Sequence, residues 1–245
     1  MRKFGLIGKN ISYSFSQNYF SNKFSSEAIT DASYENFDIP NIEDVLSIFE
    51  STEIVGLNVT IPYKETIIPY LDKLHKKAHK IGAVNTIKRT KKGELVGYNT
   101  DCYGFKKSLK PHVRPTHRHA LILGTGGASK AIAFTLDELG ISYKFVSRTR
   151  ENPEYLTYNE LKGATISKHL IIINCTPLGT FPNITDAPNL PYEFLTKDHI
   201  LYDLIYNPEE TQFLKYGNLK NATTINGLQM LKFQAEKAWR IWNTY

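Results

Sequence analysis

The sequence predicts an α/β protein made of two domains, and three observations lead to this prediction. The chain has 245 residues, which is enough for two domains of ordinary size. Short apolar segments alternate with amphipathic ones along most of the chain, which is typical of layered strands and helices. A glycine-rich turn follows an apolar segment near the middle of the chain, where we expect a parallel sheet. Hydrophobic residues make up 41% and charged residues 22%, which suits a folded globular protein.

The first domain is predicted to contain short strands that alternate with helices. Its strands are expected at residues 3–8, 32–39 and 55–61. Its helices are expected at residues 16–24, 42–50 and 64–80. In the second helix, Ile42, Val45 and Phe49 have the spacing of one buried helical face. Pro69 is expected to bend the third helix.

The second domain is predicted to be a doubly wound parallel sheet with a helix after the glycine turn. Its mostly apolar strands are expected at residues 119–124, 143–147, 169–174 and 200–205. The helix after the turn is expected at residues 129–139. Near the C-terminus, Leu228, Leu231 and Trp242 share one face of an amphipathic helix, which favours packing on a core over contact with a membrane surface. We therefore expect one domain of residues 1–100 and another that begins at residue 101.

The charge and the apolar segments limit the classes of partner. The net charge is +6, with basic runs at residues 73–92 and 106–119. Nucleic-acid binding is one interpretation, but no nucleic-acid motif accompanies these runs, so a solvated surface that attracts small anions is favoured. No apolar run reaches the roughly 20 residues of a membrane span, and residues 4–8 suit a first strand better than a signal peptide. Cys102 and Cys175 lack metal-ligand spacing. A cytoplasmic protein without a metal is expected.

The glycine turn predicts a dinucleotide site in a Rossmann-like domain. Gly124, Gly126 and Gly127, with Ala128, lie between a predicted strand and a predicted helix, where backbone N–H groups can approach a pyrophosphate. The pattern is a variant of the usual fingerprint. About twenty residues further on, where NAD sites carry an acidic residue, the chain has the segment Ser147, Arg148, Thr149. Hydroxyls and a guanidinium suit a 2′-phosphate and predict NADP, although a surface turn would also explain them.

Two further clusters are candidates for substrate binding. Ser12, Ser14 and Ser16 alternate, so in an extended segment their hydroxyls would share a face and could bind a carboxylate. They could equally be helix-capping and loop serines. Lys64 follows a predicted strand and Pro62. A lysine there could transfer a proton if it were partly desolvated, whereas most lysines are solvated surface charges.

Taken together and in order, the motifs resemble those of the shikimate dehydrogenase family over nearly the whole chain. The matching segments are Ser14-Phe-Ser16, Asn58-Val-Thr-Ile-Pro-Tyr-Lys64, Gly82-Ala-Val-Asn-Thr86, Asn99-Thr-Asp101, Gly124-Thr-Gly-Gly-Ala-Ser129, Asn174-Cys-Thr-Pro-Leu-Gly179, Asp203-Leu-Ile-Tyr-Asn-Pro208 and Asn226-Gly-Leu-Gln-Met-Leu231 with Gln234.

The resemblance implies reversible NADP-dependent reduction of 3-dehydroshikimate to shikimate, on the pathway to chorismate and aromatic amino acids. It implies that the N-terminal domain binds the substrate and that the C-terminal helix returns to that domain. Lys64 and Asp101 would flank the reacting oxygen, as a coupled pair whose protonation stays open. The residues expected to bind substrate are Ser14, Ser16, Asn58, Thr60, Asn85, Tyr206 and Gln234. Thr176, Leu204 and Gly227 are expected near the cofactor.

Three alternatives remain beside this interpretation. A quinate/shikimate dehydrogenase that also uses NAD would be expected to carry an acidic residue near Ser147, and this chain has none. A non-catalytic sensor of the metabolite should have lost Lys64 or Asp101, and both are present. A nucleic-acid-binding protein would use the basic runs and show no turnover. The favoured interpretation predicts only small-molecule partners, no nucleic acid and no membrane, and it leaves a monomer or a homodimer open.

Overall fold

The computed structural model describes residues 1–12, 14–150 and 152–244. The chain divides into two compact units. The first unit comprises Met1–Thr100 and Ala235–Tyr245, and the second comprises Asp101–Gln234. Each unit combines helices with one six-stranded sheet.

The first unit is built on a mixed sheet. Its strands are β1 (Arg2–Gly8), β2 (Ala32–Asp38), β3 (Ile54–Val59), β4 (Lys73–Leu74), β5 (Thr86–Arg89) and β6 (Leu95–Tyr98), in the order β2-β1-β3-β5-β6-β4. β1 runs parallel to β2 and β3, whereas β5 runs antiparallel to β3 and β6. Its helices are α1 (Phe15–Ser26), α2 (Val45–Glu50) and α3 (Lys76–Ile81). The three strands and first two helices predicted here are confirmed, although the second helix starts with a 3₁₀ turn.

The sheet of the first unit is covered by apolar side chains on both faces. Ile7, Leu57 and Ile87 belong to one buried cluster. Phe4 belongs to another, with aromatic residues of α1 and with Trp242 of the C-terminal helix α8 (Leu228–Asn243). Alternation along β1 explains this division, because successive side chains of a strand point to opposite faces. The part of α8 from Ala235 onward thus completes the core of the first unit.

The helix predicted over residues 64–80 is wrong. The structure has a 3₁₀ turn at Ile68–Tyr70, then β4, and only then the short helix α3. Pro69 lies in the first turn of the 3₁₀ helix, where proline is tolerated. Asp72 then pairs with Leu95: its backbone N–H donates to the Leu95 carbonyl at 3.0 Å, and its carboxylate accepts from the Leu95 N–H at 2.6 Å. This tertiary pairing outweighs the local helical pattern.

The second unit contains a parallel sheet with helices on both faces. Its strands are β7 (His119–Leu123), β8 (Ser142–Ser147), β9 (Leu156–Thr157), β10 (Ile171–Asn174), β11 (Ile200–Asp203) and β12 (Thr223–Ile225), in the order β9-β8-β7-β10-β11-β12. Its helices are α4 (Asp101–Leu109), α5 (Gly127–Glu138), α6 (Gly163–Lys168), α7 (Gln212–Asn218) and the first part of α8. All pairings are parallel.

This strand order defines a Rossmann-like domain. The chain builds β7, β8 and β9 outward in one direction and then returns to build β10, β11 and β12 in the other, so the order reverses between β7 and β10. Along β7, Ile122 faces one apolar cluster, and Leu121 and Leu123 face the other. The predicted α/β fold class, with its doubly wound parallel sheet, is confirmed. None of the helices formed by the described residues is both long and apolar enough to cross a membrane.

Candidate functional site

The predicted site residues fall into both units. Those of the first unit are Ser14, Ser16, Asn58, Thr60, Lys64 and Asn85. Those of the second unit are Asp101, Gly124, Gly126, Gly127, Ala128, Ser147, Arg148, Thr149, Thr176, Leu204, Tyr206, Gly227 and Gln234.

The glycine turn connects β7 to α5 and leaves the start of that helix open. Gly124 has a φ of +100°, a backbone conformation that favours glycine, and its N–H donates to the Val146 carbonyl at 2.9 Å. Gly126 is the N-cap of α5. A Cβ built on Gly126 would meet no protein atom within 4 Å. The first N–H groups of a helix have no partner within that helix, and the helix dipole favours negative charge there. The turn therefore fits a pyrophosphate.

The end of β8 presents hydroxyl groups and positive charge. Ser147 is half-buried, whereas Arg148 and Thr149 are exposed. The next residue, Arg150, donates to the carboxylate of Glu160 and holds the pKa of Glu160 at about 2. Glu160 is thus paired with Arg150, while Arg148 is an exposed residue. This segment suits a phosphate monoester.

The strand ends of β10 and β11 lie in register, and the segments after them are held together by backbone contacts. The Leu204 N–H donates to the Asn174 carbonyl at 3.0 Å. The Asn174 side-chain oxygen accepts from both the N–H and the hydroxyl of Thr176, at 3.0 and 2.6 Å. A Cβ on Gly227 would lie 2.0 Å from the Leu204 carbonyl oxygen, so only glycine fits there. Thr176, Leu204 and Gly227 are brought together at the carboxyl edge of the sheet.

Asp203, the last residue of β11, is a residue that the sequence interpretation assigned no role. Its side chain is fully buried. Its carboxylate accepts from the Asn174 amide at 3.1 Å, the Ile205 N–H at 3.0 Å and the Thr211 hydroxyl at 2.6 Å. Burial raises the pKa of Asp203 to about 6, and the three hydrogen bonds oppose this increase. A carboxylate that ends an apolar strand is the signal that could have identified it.

In the first unit, Ser14 and Ser16 lie at the start of α1. Ser14 is the N-cap, and its hydroxyl accepts from the Ser16 N–H at 3.2 Å. Ser16 is buried. One of the two interpretations left open by the sequence, helix capping, therefore applies to Ser14. A capping hydroxyl still has its own hydrogen to donate.

Asn58 and Asn85 belong to a buried polar network. The side-chain oxygen of Asn58 accepts from the Tyr34 hydroxyl at 2.8 Å, and its amide donates to the Asn85 carbonyl at 3.2 Å and the Thr86 hydroxyl at 3.3 Å. The side-chain oxygen of Asn85 accepts from the Thr100 N–H at 2.6 Å. Tyr34, Thr86 and Thr100 were not predicted from the sequence, because their contacts depend on the tertiary fold.

Lys64 is held by backbone contacts at the end of a turn that follows β3. Its carbonyl accepts from the Val84 N–H at 2.7 Å, and its side chain is half-buried. The preceding residue, Tyr63, is buried and donates from its hydroxyl to the Ile39 carbonyl at 2.7 Å. In the second unit, Asp101 is the buried first residue of α4, and Gln234 is buried on α8. Gly104 of α4 packs against the backbone of Met230 and against Gln234.

The strand order and the glycine turn define a dinucleotide-binding α/β protein, and comparison with known proteins specifies the family. Residues 6–87 match the model of the shikimate dehydrogenase substrate binding domain. The shikimate dehydrogenase (NADP(+)) of Methanococcus vannielii is 37% identical, over 98% of this chain and 91% of the relative. The chain belongs to the shikimate dehydrogenase family.

Solved structures agree with this assignment. A shikimate dehydrogenase in complex with NADP+ matches with a TM-score of 0.87 and 35% identity, over 99% of this chain and 90% of that one. The Thermus thermophilus shikimate 5-dehydrogenase in complex with NADP(H) and shikimate matches with a TM-score of 0.85 and 30% identity, over 99% of this chain and 94% of that one.

Proposed function

We propose that this protein is an NADP-dependent shikimate dehydrogenase, an oxidoreductase that reversibly reduces 3-dehydroshikimate to shikimate on the route to chorismate and aromatic amino acids. The observation that carries the proposal is the similarity to relatives named for this activity, which extends over 98% of the chain and includes the segments that contain Lys64 and Asp101. In this proposal the domain of residues 1–100 with the C-terminal helix 227–245 binds the substrate, and the domain of residues 101–226 binds NADP together with Gly227.

The cofactor-binding residues follow from the three segments at the carboxyl edge of the second sheet. The open start of α5 supports binding of the pyrophosphate by Gly124, Gly126, Gly127 and Ala128. The exposed guanidinium of Arg148, with Ser147 and Thr149, suits the 2′-phosphate. Thr176, Leu204 and Gly227 would hold the nicotinamide end.

Neutral polar groups are proposed to bind the substrate, except at the reacting oxygen, which is assigned to Lys64 and Asp101. Ser14 and Ser16 bind the carboxylate through their hydroxyls. The remaining substrate contacts are assigned to Asn58, Thr60, Asn85, Tyr206 and Gln234. The network around Asn58 and Asn85 supports this assignment, because amides fixed by buried hydrogen bonds have little freedom to lose when a ligand binds.

Lys64 and Asp101 are proposed to carry out the proton chemistry. NADPH, held as proposed above, would supply a hydride to the ketone carbon. The carbonyl π bond breaks towards oxygen, and Lys64 as ammonium stabilises the developing alkoxide and donates a proton to it. The product is a hydroxyl group, and Lys64 recovers its proton from solvent. Asp101 as carboxylate orients the ammonium group and helps to accept the proton in the reverse direction. Overall, a ketone, NADPH and one proton give an alcohol and NADP+.

The proposed partners are small molecules, with neither nucleic acid nor a membrane involved. Cys102 and Cys175 are present as thiols, which suits the reducing cytoplasm that we propose as the compartment. The protein would act there as a monomer or a homodimer, and light scattering after gel filtration distinguishes these two states.

The proposal is tested by following nicotinamide absorbance with shikimate and NADP+, for the wild type and for Lys64→Ala. We expect turnover by the wild type and a kcat that is lower by about 10²- to 10⁴-fold in Lys64→Ala, with an unchanged Kd for NADP+. Lys80→Ala, which removes an exposed lysine of the same unit, should leave both quantities unchanged. Absence of turnover by the wild type would refute the function, and an unchanged kcat in Lys64→Ala would refute the role of Lys64.

A further inference from the structure

Asp203 is a fully buried carboxylate that the proposed reaction does not use. It lies at the carboxyl end of β11, and its three hydrogen-bond donors come from three different segments. These are the Asn174 amide at the end of β10, the Ile205 N–H in the loop after β11, and the hydroxyl of Thr211 at the start of α7. One side chain therefore links the ends of two strands to the beginning of a helix.

Two of the three linked segments reach residues that are proposed to contact the nicotinamide end of the cofactor. Asn174 uses its amide to donate to Asp203 and its side-chain oxygen to accept from both polar groups of Thr176. Ile205 lies between Leu204 and Tyr206, and its carbonyl accepts from the N–H of Gly227 at 2.9 Å.

The third donor, Thr211, is itself fixed in place. It is the N-cap of α7, and its hydroxyl oxygen accepts from the Leu214 N–H while its hydrogen is donated to Asp203 at 2.6 Å. The Thr211 side chain is fully buried. The loop between β11 and α7 is thus fastened to Asp203 at both of its ends.

The arrangement suits an acceptor with two oxygens. A carboxylate can accept all three hydrogen bonds, whereas an amide of the same size has one oxygen and an NH₂ group that would either face the Asn174 amide or require the Thr211 hydroxyl to rotate and accept. Hydrogen bonds to an ionised acceptor are also shorter and stronger than neutral ones. The three hydrogen bonds that stabilise ionised Asp203 offset part of the cost of burying its charge.

The segments at the adenosine end are held in a different way. Gly124 donates to the Val146 carbonyl at 2.9 Å, and the Ser129 hydroxyl donates to the Gly126 carbonyl at 2.6 Å. These contacts fix the glycine turn to β8 and α5, which do not include the three donors of Asp203. A change at Asp203 should therefore affect one end of the cofactor site more than the other.

We propose that Asp203 is a positioning residue for the nicotinamide end of the NADP site, which it organises by holding the segments that carry or contact Thr176, Leu204 and Gly227 in a fixed arrangement. This inference rests on the proposed NADP-dependent function. Asp203 acts through these segments and does not itself take part in the transfer of hydride or proton.

The test compares two ligands of the intact protein by titration calorimetry. NADP+ contacts both ends of the proposed site, whereas adenosine 2′,5′-bisphosphate has the 2′-phosphate but lacks the nicotinamide. In Asp203→Asn we expect the Kd of NADP+ to rise about tenfold or more, and the Kd of adenosine 2′,5′-bisphosphate to stay within about twofold of the wild type, because the amide weakens the charge-assisted hydrogen bonds that hold the nicotinamide end.

Thr211→Val is the second variant, and it tests the proposed role of Asp203 if Asp203→Asn does not fold. It removes one donor with little change of shape, and the same selective loss of NADP+ affinity is expected to a smaller extent. Thr135→Val is the matched control, because Thr135 is also fully buried and donates to a backbone carbonyl of α5, at 2.8 Å. It should leave both Kd values unchanged.

Two outcomes would overturn the inference while leaving the proposed function intact. One is an equal loss of affinity for both ligands, which would indicate general destabilisation of the second unit. The other is an unchanged Kd for NADP+ in the folded variants. Failure of the wild type to bind NADP+ is a distinguishable third outcome, since it would overturn the proposed function and this inference with it.

Discussion

Tyr34 connects two of the residues that are proposed to bind the substrate, and its replacement by phenylalanine tests how far substrate binding depends on buried support. Its hydroxyl donates to the side-chain oxygen of Asn58 at 2.8 Å. Burial raises the pKa of Tyr34, and a hydrogen bond with Ser16 opposes that increase. The ring stacks on Phe20 at a centroid distance of 4.6 Å. Tyr34→Phe keeps this packing and removes only the hydroxyl group.

The size of the effect of Tyr34→Phe on stability follows from the burial of Asn58, which is 4% exposed. Without the Tyr34 hydroxyl its side-chain oxygen loses a donor in a region that solvent does not reach, and an unsatisfied buried group costs about 1–3 kcal/mol. We expect the free energy of unfolding to fall by that amount. If about 1–2 kcal/mol of substrate binding is lost with the position of Asn58 and Ser16, the KM for shikimate rises about 5- to 30-fold. The KM for NADP+ should not change.

Initial rates at saturating NADP+ and urea unfolding measure the two effects. Tyr192→Phe is the matched control, because the Tyr192 hydroxyl donates to the Pro188 carbonyl at 2.6 Å in the second unit. That variant should lose stability without any change in the KM for shikimate. Two results would refute the reasoning. One is a Tyr34→Phe protein that has lost the expected stability but whose KM for shikimate stays within about twofold of the wild type. The other is an equal rise of this KM in Tyr34→Phe and Tyr192→Phe.

Three further predictions concern the cofactor site and the pH dependence of stability. Arg148→Ala should raise the KM for NADP+ by about tenfold or more and leave the KM for NAD+ unchanged, because the proposed charge-assisted contact to the 2′-phosphate would be lost; equal rises would contradict this role. Gly126→Ala should leave the free energy of unfolding nearly unchanged, since its Cβ meets no protein atom within 4 Å, yet raise the Kd of NADP+ by filling space that the pyrophosphate would use; calorimetry that finds an unchanged Kd would count against the site. Burial lowers the pKa of His169 and His199, so the unfolded chain binds more protons than the folded one as the pH falls through about 6.5, and stability is lost in that direction. The free energy of unfolding, measured with urea at about pH 7.5 and about pH 6, should fall less in His199→Gln than in the wild type. The raised pKa of Asp203 is about 6, so its opposite contribution to stability stays small above about pH 6.

The parallel sheet could be predicted from the sequence because its strands are buried on both faces and therefore appear as apolar runs. The segments Leu121–Leu123 and Ile171–Ile173 are apolar throughout and fully buried. The strand β4 could not be predicted, because its two residues, Lys73 and Leu74, are strand only through pairing with β6. The same local sequence suits a helix, and the pairing with distant residues decides between them.

Candidate site residues could be predicted from the sequence where they belong to a recognisable motif. Residues that join the site only through tertiary contacts could not. Lys64, Asp101 and the glycine turn are recognisable by sequence order. Tyr34 is not, because it lies 24 residues from its partner Asn58, and nothing in the spacing indicates that the two side chains meet. Asp203 belongs to a matching motif, but its three donors become apparent only when β10, β11 and α7 are in place.

The most direct test of the central claim is the specificity constant kcat/KM of the wild type for four substrate pairs: shikimate or quinate, each with NADP+ or NAD+. If the proposed hydroxyl and amide groups bind the shikimate ring and Arg148 binds the 2′-phosphate, shikimate with NADP+ should be the preferred pair by about tenfold or more over each of the others. Equal turnover of quinate, or a preference for NAD+, would contradict the account.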